Sequence, residues 1–268
     1  MKTPTSILKN LLSKSIHSFL YVLMIAGILV MCELSFAQTM VKDINSINYG
    51  STPTFITAIG NFIYFSATDQ IAVTRLFKSD GTETGTYSVN NISSPYLKLS
   101  PVDFYNNLQT FCNNNGTIFF NAYDSIHGYE LWKSDGTDAG TMLVKDIFPG
   151  TSNSDLSKFF AVNGTLFFWA NNGINGIELW KSDGTEAGTV MVKDICAGSC
   201  SSFEQNYTPY FANVNGILYF SANDGINGKE LWKSDGTETG TIMVMDINPG
   251  SASALPSNFA NVNNTLFF

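Results

Sequence analysis

The octapeptide Glu-Leu-Trp-Lys-Ser-Asp-Gly-Thr occurs three times, at Glu130–Thr137, Glu178–Thr185 and Glu230–Thr237. A fourth, altered copy at Arg75–Thr82 reads Arg-Leu-Phe-Lys-Ser-Asp-Gly-Thr. Consecutive copies begin 55, 48 and 52 residues apart. A repeat of about 50 residues indicates an array of one supersecondary unit, either stacked or arranged radially.

The repeating unit contains four short apolar runs separated by Gly, Pro, Asn and Asp clusters, a pattern typical of hairpin-linked strands. In the last complete copy the runs predict strands at Tyr210–Val214, Ile217–Ala222, Lys229–Lys233 and Thr241–Ile247. The Asp-Gly pair between the third and fourth strands predicts a hairpin turn. A glycine four residues later predicts a second glycine-dependent bend in each copy: Gly85, Gly140, Gly188 and Gly240.

The second strand of each unit is apolar almost continuously, as in Thr165–Ala170. A strand with one face in water would alternate, so we expect both faces to be covered by neighbouring units. Helical periodicity is absent, and the fold class is therefore predicted to be all-β. Four-stranded antiparallel sheets stacked face to face are the blades of a β-propeller, which we predict over residues 38–268. An open β-solenoid is the alternative.

The two ends of the repeat region are incomplete units. Thr39–Ile44 matches the fourth strand of the later copies, so the region is predicted to open with a lone fourth strand that completes the last sheet. Four complete units follow, and Asn263–Phe268 matches the second strand of a fifth. An apolar edge strand left uncovered is an aggregation hazard. We therefore interpret the chain as a fragment of a longer repeat protein.

Residues 1–37 are predicted to be an export signal. Three lysines precede an apolar run at Phe19–Met31, and Ser35 and Ala37 supply small residues for cleavage after Ala37. A run of about 13 residues is short for a membrane anchor, which needs roughly 20. Cys32 would allow a lipoprotein instead, although a bulky methionine precedes it. We expect a secreted or cell-surface protein with no membrane span after cleavage.

The charge of the chain argues against two classes of partner. The formal net charge is −8, and without residues 1–37 the chain has 11 basic and 21 acidic residues, a net charge of −10. Arg75 is the one arginine. Nucleic acids and anionic membrane surfaces need clustered Lys and Arg, so neither is an expected partner.

Three cysteines remain after the predicted cleavage. Cys196 and Cys200 flank Ala-Gly-Ser in one loop, and in an exported protein they predict a small local disulfide. A metal site there is the alternative, but no histidine or second cysteine pair completes a tetrahedral set. Cys112 follows Phe111 in an apolar strand and is expected to pack as a small hydrophobic residue.

The sequence offers little catalytic chemistry. His127 is the one histidine beyond the export segment, and Asn175 and Asn227 occupy its position in other copies, so we interpret it as a turn residue rather than a general base. Acids that recur in every copy are expected to serve the fold, because one active site needs its acid pair once. These acids are Glu130, Glu178, Glu230, Asp135, Asp183, Asp235, Asp146, Asp194 and Asp246.

Four residues that begin the loop before the third strand are candidate calcium ligands: Asp69, Asp124, Asn172 and Asp224. Loops of this kind supply the hard oxygen ligands that Ca²⁺ takes. The alternative is that each residue opens an Asx turn before the hairpin. No copy has the spacing of an EF-hand or of a nonapeptide calcium repeat. The sequence indicates no other cofactor.

The octapeptide, the following Gly-Thr and the later Val-Lys-Asp-Ile together resemble the ELWxxDGT repeat family of exported bacterial proteins. The resemblance spans residues 39–268, and the family occurs mainly in bacteria of the Bacteroidetes type. It implies export and a repeat architecture rather than a reaction. The first copy departs from the pattern, with Arg75 for Glu, Phe77 for Trp and Asn90-Asn91 for Lys-Asp.

Residues that differ between copies are free to carry specificity, and loops are where repeat scaffolds place recognition. These segments are Gln70–Thr74, Ser125–His127, Thr151–Lys158 and Cys196–Asn206. We interpret the chain as a non-enzymatic scaffold for binding or adhesion to an extracellular glycan or protein. The alternative is a fragment of an extracellular hydrolase or lyase whose catalytic residues lie outside this segment.

Overall fold

Strands and turns make up the regular structure of the described residues. The computed structural model describes residues 40–46, 50–89, 98–99, 111–203 and 210–268. These residues contain 19 strands and no helix, and so no helix among them is suited to cross a membrane. The predicted export segment, Thr39, the Asn90-Asn91 pair and residues 204–206 of one variable loop lie outside the described residues.

The strands group into five antiparallel sheets in chain order. The first sheet contains β1 (Thr54–Ile59), β2 (Phe62–Thr68), β3 (Thr74–Ser79) and β4 (Tyr87–Ser88). The second contains β5 (Lys98–Leu99), β6 (Phe111–Asn114), β7 (Thr117–Asp124), β8 (Gly128–Ser134) and β9 (Met142–Lys145). The third contains β10 (Ser157–Val162), β11 (Thr165–Asn171), β12 (Ile177–Ser182) and β13 (Val190–Lys193). The fourth contains β14 (Phe211–Val214), β15 (Ile217–Asn223), β16 (Lys229–Ser234) and β17 (Ile242–Met245), and β18 (Ala260–Val262) pairs with β19 (Thr265–Phe267).

The all-β prediction with four-stranded antiparallel sheets is confirmed. The first, third and fourth sheets have their strands side by side in chain order. The predicted strand limits are close to the observed ones except for the last strand of the unit, which is shorter than Thr241–Ile247. The hydroxyl of Thr241 bonds within the preceding turn, and the N–H of Ile247 donates to a buried glutamate at 2.9 Å. Both residues therefore leave the strand ladder.

The first strand of the second unit is split into two pieces. Both β5 and β6 pair with β7, with Leu99 opposite Ala122 and Phe111 opposite Phe120. In the first and third units a single strand, β1 or β10, spans the corresponding positions and contains a β-bulge. Residues 100–110, which separate β5 from β6, lie outside the described part of the chain.

Apolar cores lie between consecutive sheets. The tryptophan of each full octapeptide packs in the core shared with the preceding sheet: Trp180 lies in a cluster with Phe119 and Leu131 of the second sheet. Along β11, Phe168 belongs to that cluster, whereas Trp169 belongs to the core shared with the fourth sheet. This burial on both faces explains why the second strand is continuously apolar. Residues Val41–Phe268 form one compact unit.

The Ser-Asp-Gly-Thr segment forms an elaborate turn rather than a two-residue hairpin. In the second unit Gly136 has φ of 85°, which glycine adopts readily. The Thr137 N–H donates to Asp135 Oδ1 at 2.9 Å, and the Gly140 N–H donates to Thr137 Oγ1 at 3.0 Å. Gly140 lies in the predicted second bend but has no positive φ. A Cβ at Gly140 would collide with the Asp135 carboxylate, and glycine is required there for space.

The octapeptide also links one unit to the next. The Lys133 ammonium donates to the Gly184 carbonyl at 2.8 Å, and the Lys181 ammonium donates to the Gly236 carbonyl at 2.7 Å. In each pair the lysine and the glycine occupy fixed positions of the octapeptide in successive copies. The motif therefore contributes contacts between consecutive units as well as the turn within each unit.

The sequence predicted a lone N-terminal strand at Thr39–Ile44, and this prediction is wrong for the described residues. Residues 40–46 form no strand. Ile44 nevertheless packs against Phe65 and Phe77 of the first sheet. A strand needs a hydrogen-bonded neighbour, and no described strand pairs with this segment.

Candidate functional site

The glutamates that open the three full octapeptides are completely buried. Oε2 of Glu178 accepts the N–H of Ile195 at 3.0 Å. Its Oε1 accepts the N–H groups of Cys196 and Ser202, each at 3.2 Å. The equivalent glutamates of the second and fourth units accept N–H groups from the same segment. These carboxylates hold the chain that leaves the fourth strand, and they are enclosed from any substrate.

The buried glutamates predict an unusual pH dependence of stability. Burial raises the pKa of Glu130 to about 8 and that of Glu178 to about 7, against backbone N–H donors that lower it, from an ordinary value of 4.5. The folded state therefore binds more protons than the unfolded state between pH 4.5 and about 8, and the free energy of unfolding falls as the pH rises through this window.

We expect the melting temperature to decrease from about pH 4.5 to about pH 8. Glu130→Gln cannot ionise, so its melting temperature will be lower overall but will change less across this range. Thermal melts of both proteins in one buffer series measure the two slopes. Equal slopes in the variant and the parent would contradict the assignment to Glu130.

The four calcium candidates each begin the loop between the second and third strands of their unit: Asp69, Asp124, Asn172 and Asp224. Oδ1 of Asp224 accepts the N–H groups of Ile226 at 2.9 Å and Asn227 at 2.7 Å. Burial alone would raise the pKa of Asp224, but these N–H donors outweigh it, and the net pKa lies below the usual range of an aspartate. The other three residues open the same kind of Asx turn.

The structure places these candidates in separate units and does not bring them together. No group of three or more His, Cys, Asp or Glu side chains among the described residues is arranged to hold a metal ion. Oδ1 of Asp146, Asp194 and Asp246, in the segments that follow the fourth strands, is buried without a hydrogen-bond partner in the described part of the chain. Calcium at these loops stays a prediction.

His127 takes part in the Asx turn of its own loop. The ring Nδ1 of His127 lies 2.9 Å from Oδ2 of Asp124, and the backbone N–H of His127 donates to Oδ1 of the same carboxylate at 2.7 Å. Asn227 makes the equivalent contacts with Asp224 in the fourth unit. Histidine therefore occupies the position of a turn residue, and its ring is paired with Asp124.

An exposed isoleucine lies at the tip of the same loop in every described unit. The four residues, in chain order, are 70%, 67%, 72% and 72% exposed: Ile71, Ile126, Ile174 and Ile226. The N–H of each donates to the Asp or Asn that opens its Asx turn. Sequence comparison of the copies could have found them, because an isoleucine stands two residues after that Asp or Asn in all four, including the altered first copy.

Cys196 and Cys200 form a disulfide in the loop after β13, with their Cα atoms 5.4 Å apart. Their bridge lies close to the loop of the next unit, where a Cβ added at Gly225 would be 3.0 Å from Cys196 Sγ. Cys112 is half-buried and packs against the core of the second and third sheets. Burial raises the pKa of its thiol, which disfavours the nucleophilic thiolate.

The segments that differ between copies contribute to the core as well as to the surface. Ser154 and Leu156 of the segment Thr151–Lys158 are buried, and so is Phe203. The ring of Phe203 stacks on Trp169 with centroids 5.2 Å apart. These residues of the variable segments therefore pack in the core and are not available for recognition.

The described residues define an all-β repeat protein built from four-stranded antiparallel sheets. No family model matches the chain, and no curated protein matches it. Solved structures are similar at low identity. A puromycin hydrolase matches at 14% identity and a TM-score of 0.43, covering 72% of this chain and 28% of the hydrolase.

A puromycin-hydrolyzing peptidase of Mycobacterium tuberculosis matches at 11% identity and a TM-score of 0.43, covering 71% of this chain and 31% of the peptidase. An α-L-arabinofuranosidase of Clostridium thermocellum matches at 16% identity and a TM-score of 0.34, covering 82% of this chain and 79% of that protein. The chain thus spans about a third or less of the two puromycin-cleaving proteins. Similarities at this level define neither a family nor an activity for the chain.

Proposed function

We propose that the chain is a non-enzymatic repeat scaffold of the ELWxxDGT type, exported to the cell surface or beyond it, that binds an extracellular glycan or protein. Its sheets are the blades of a β-propeller-like array. Neither nucleic acid nor a membrane is the partner, given the net charge of −8 and the single arginine. Export rests on the signal pattern of residues 1–37.

The contacts of residues 40–46 support the propeller-like arrangement. Lys42 donates to the Thr86 carbonyl at 2.7 Å. Lys193 of the third unit donates to the Thr241 carbonyl of the fourth at 2.9 Å, which is the equivalent contact between consecutive units. Lys42 therefore makes with the first sheet the contact that Lys193, at the end of a fourth strand, makes with the next sheet. A segment in this place can complete the last blade of a ring.

The exposed isoleucines carry the binding proposal. The isoleucines at the tips of the second-to-third strand loops lie mostly in solvent, so packing in a core does not account for their recurrence. The altered first copy has lost the glutamate and the tryptophan of its octapeptide but keeps Ile71. Because each isoleucine follows the second strand of its sheet, the four lie at equivalent ends of their sheets. Repeated apolar contacts of this kind suit a multivalent partner.

Binding of the purified chain to immobilised polysaccharides and to purified extracellular matrix proteins tests the proposal. We expect saturable binding to at least one of these ligands, and a combined Ile126→Ser, Ile174→Ser, Ile226→Ser variant to bind roughly tenfold more weakly or worse, because several contacts are lost together. Ile242→Ser removes a 43% exposed isoleucine from β17 instead and is the matched control. Absence of binding by the parent protein to either class would refute the scaffold function.

The hydrolase or lyase alternative predicts a different result in the same experiment. The recurring glutamates are enclosed and bonded to backbone N–H groups, so they do not favour it. Release of sugar or peptide fragments from the immobilised ligands by the purified chain would support the alternative. Binding without release supports the scaffold.

A further inference from the structure

A pocket of about 490 Å³ lies at the first strands of the first three units. Its wall consists of Phe55–Thr57 from β1, Phe111–Asn113 from β6 and Lys158 from β10. Pockets for small molecules have volumes of roughly 300–1,000 Å³. The space is therefore sufficient for a small organic ligand.

Two residues of this wall have backbone conformations that bulky side chains rarely adopt. Phe55 has φ of 53° and Lys158 has φ of 51°, and each lies in the β-bulge of its first strand. The equivalent residue after the fourth unit is Asn258, with φ of 56°. Asparagine tolerates positive φ, whereas phenylalanine and lysine are strained there. The strained choices occur at the two positions that line the pocket.

Lys158 is the one charged residue of the pocket wall. Its side chain is half-buried, and burial lowers the pKa of its amine. No described residue forms an ion pair or a hydrogen bond with this amine. The octapeptide lysines differ in this respect, since Lys133 and Lys181 each donate to a carbonyl of the next unit. A partly buried ammonium without a described partner favours an anionic ligand.

The pocket also has a flat apolar surface. The rings of Phe55 and Phe111 are stacked, with centroids 6.1 Å apart and planes inclined by 12°. Phe55 belongs to the first unit and Phe111 to the second. Phe111 is only 5% exposed, so the half-buried Phe55 ring is the one that a ring-shaped ligand can pack against, while a charged substituent points elsewhere.

We propose that this pocket binds a small carboxylate ligand built on one or two rings, with the Lys158 ammonium paired to the carboxylate and the Phe55 ring packed against the ligand ring. An acidic sugar and an aromatic acid share this chemistry. The pocket has no residue in common with the isoleucine loops, so the proposal goes beyond the scaffold function and does not depend on it.

Calorimetric titration of the purified full chain with glucuronate and with benzoate, at neutral pH and low salt, tests the proposal. Glucose and benzyl alcohol are the neutral counterparts. We expect one molecule of at least one acid to bind per chain, and its neutral counterpart not to bind. Lys158→Met is expected to weaken binding by roughly tenfold or more, because a charge-assisted contact is lost. Lys233→Met removes a half-buried lysine of the fourth unit and keeps the parent affinity.

Two further results complete the test. Glucuronate binding alone would assign an acidic sugar, and benzoate binding alone an aromatic acid. Lys158→Asn separates the site from the fold, because asparagine suits the positive φ: it is expected to melt no lower than the parent and to lose the acid. Failure of both acids to bind at millimolar concentration, equal binding of acid and neutral counterpart, or parent affinity in Lys158→Met or Lys158→Asn would overturn the proposal.

Discussion

Replacing Trp169 with alanine is expected to lower the free energy of unfolding by about 3–5 kcal/mol. Trp169 is completely buried in the core between the third and fourth sheets. Its ring stacks on Phe203 and lies 5.7 Å from the Phe220 ring of the fourth sheet, centroid to centroid. Alanine would leave a cavity that two packed sheets cannot close. Urea-induced unfolding followed by fluorescence or circular dichroism measures the change.

Trp169→Phe is the matched variant for this prediction. The indole Nε1 of Trp169 has no hydrogen-bond partner within the described part of the chain, so phenylalanine removes no hydrogen bond. A smaller ring in the same place is expected to lower the free energy of unfolding by less than about 1.5 kcal/mol. A loss below about 1 kcal/mol in Trp169→Ala would show that the contact between the two sheets contributes little.

Replacing Glu178 with leucine is expected to lower the free energy of unfolding by about 3–5 kcal/mol. Leucine has a similar volume but accepts no hydrogen bond. The N–H groups of Ile195, Cys196 and Ser202, which donate to this carboxylate, would then be left without their acceptor. Denaturant unfolding at about pH 5 is the suitable measurement. Burial raises the pKa of Glu178 to about 7, so the carboxyl of the folded protein is protonated at this pH.

The exposed Glu186 of the same unit provides the control for Glu178. Its side chain lies at the surface of the Ser-Asp-Gly-Thr turn, so Glu186→Leu is expected to change the free energy of unfolding by no more than about 0.5 kcal/mol. If the two leucine variants were equally stable, the buried glutamate would not hold the segment after the fourth strand. Comparison within one unit keeps the surrounding sheet constant.

Strand order and turn positions were predictable from the sequence because they depend on local chemistry. Apolar runs such as Ile217–Asn223 and their Gly, Asn and Asp boundaries recur in each copy. The reason for the second glycine of the turn was not predictable in the same way. Gly140 looked like a bend, but the turn brings the Asp135 carboxylate over it, and that approach is a property of the folded loop.

The role of several side chains depends on partners far away in the chain. Phe203 lies in a segment that differs between copies, and its burial became evident only when Trp169 was placed beside it. The repeated isoleucines had the opposite outcome, since an apolar residue in every copy would ordinarily predict a core position. The Asx turn holds Ile174 at the tip of its loop, where its side chain is 72% exposed.

The sequence by itself determined that this protein is an array of antiparallel four-stranded units, because hairpin turns and two-sided apolar strands are encoded within each copy of about 50 residues. Only the tertiary structure decided which side chains meet between copies. Lys158 and Phe55 are about a hundred residues apart, and they share a pocket because consecutive sheets pack through their apolar faces. The sequence pattern within one unit does not show which residues of other units lie beside it in space.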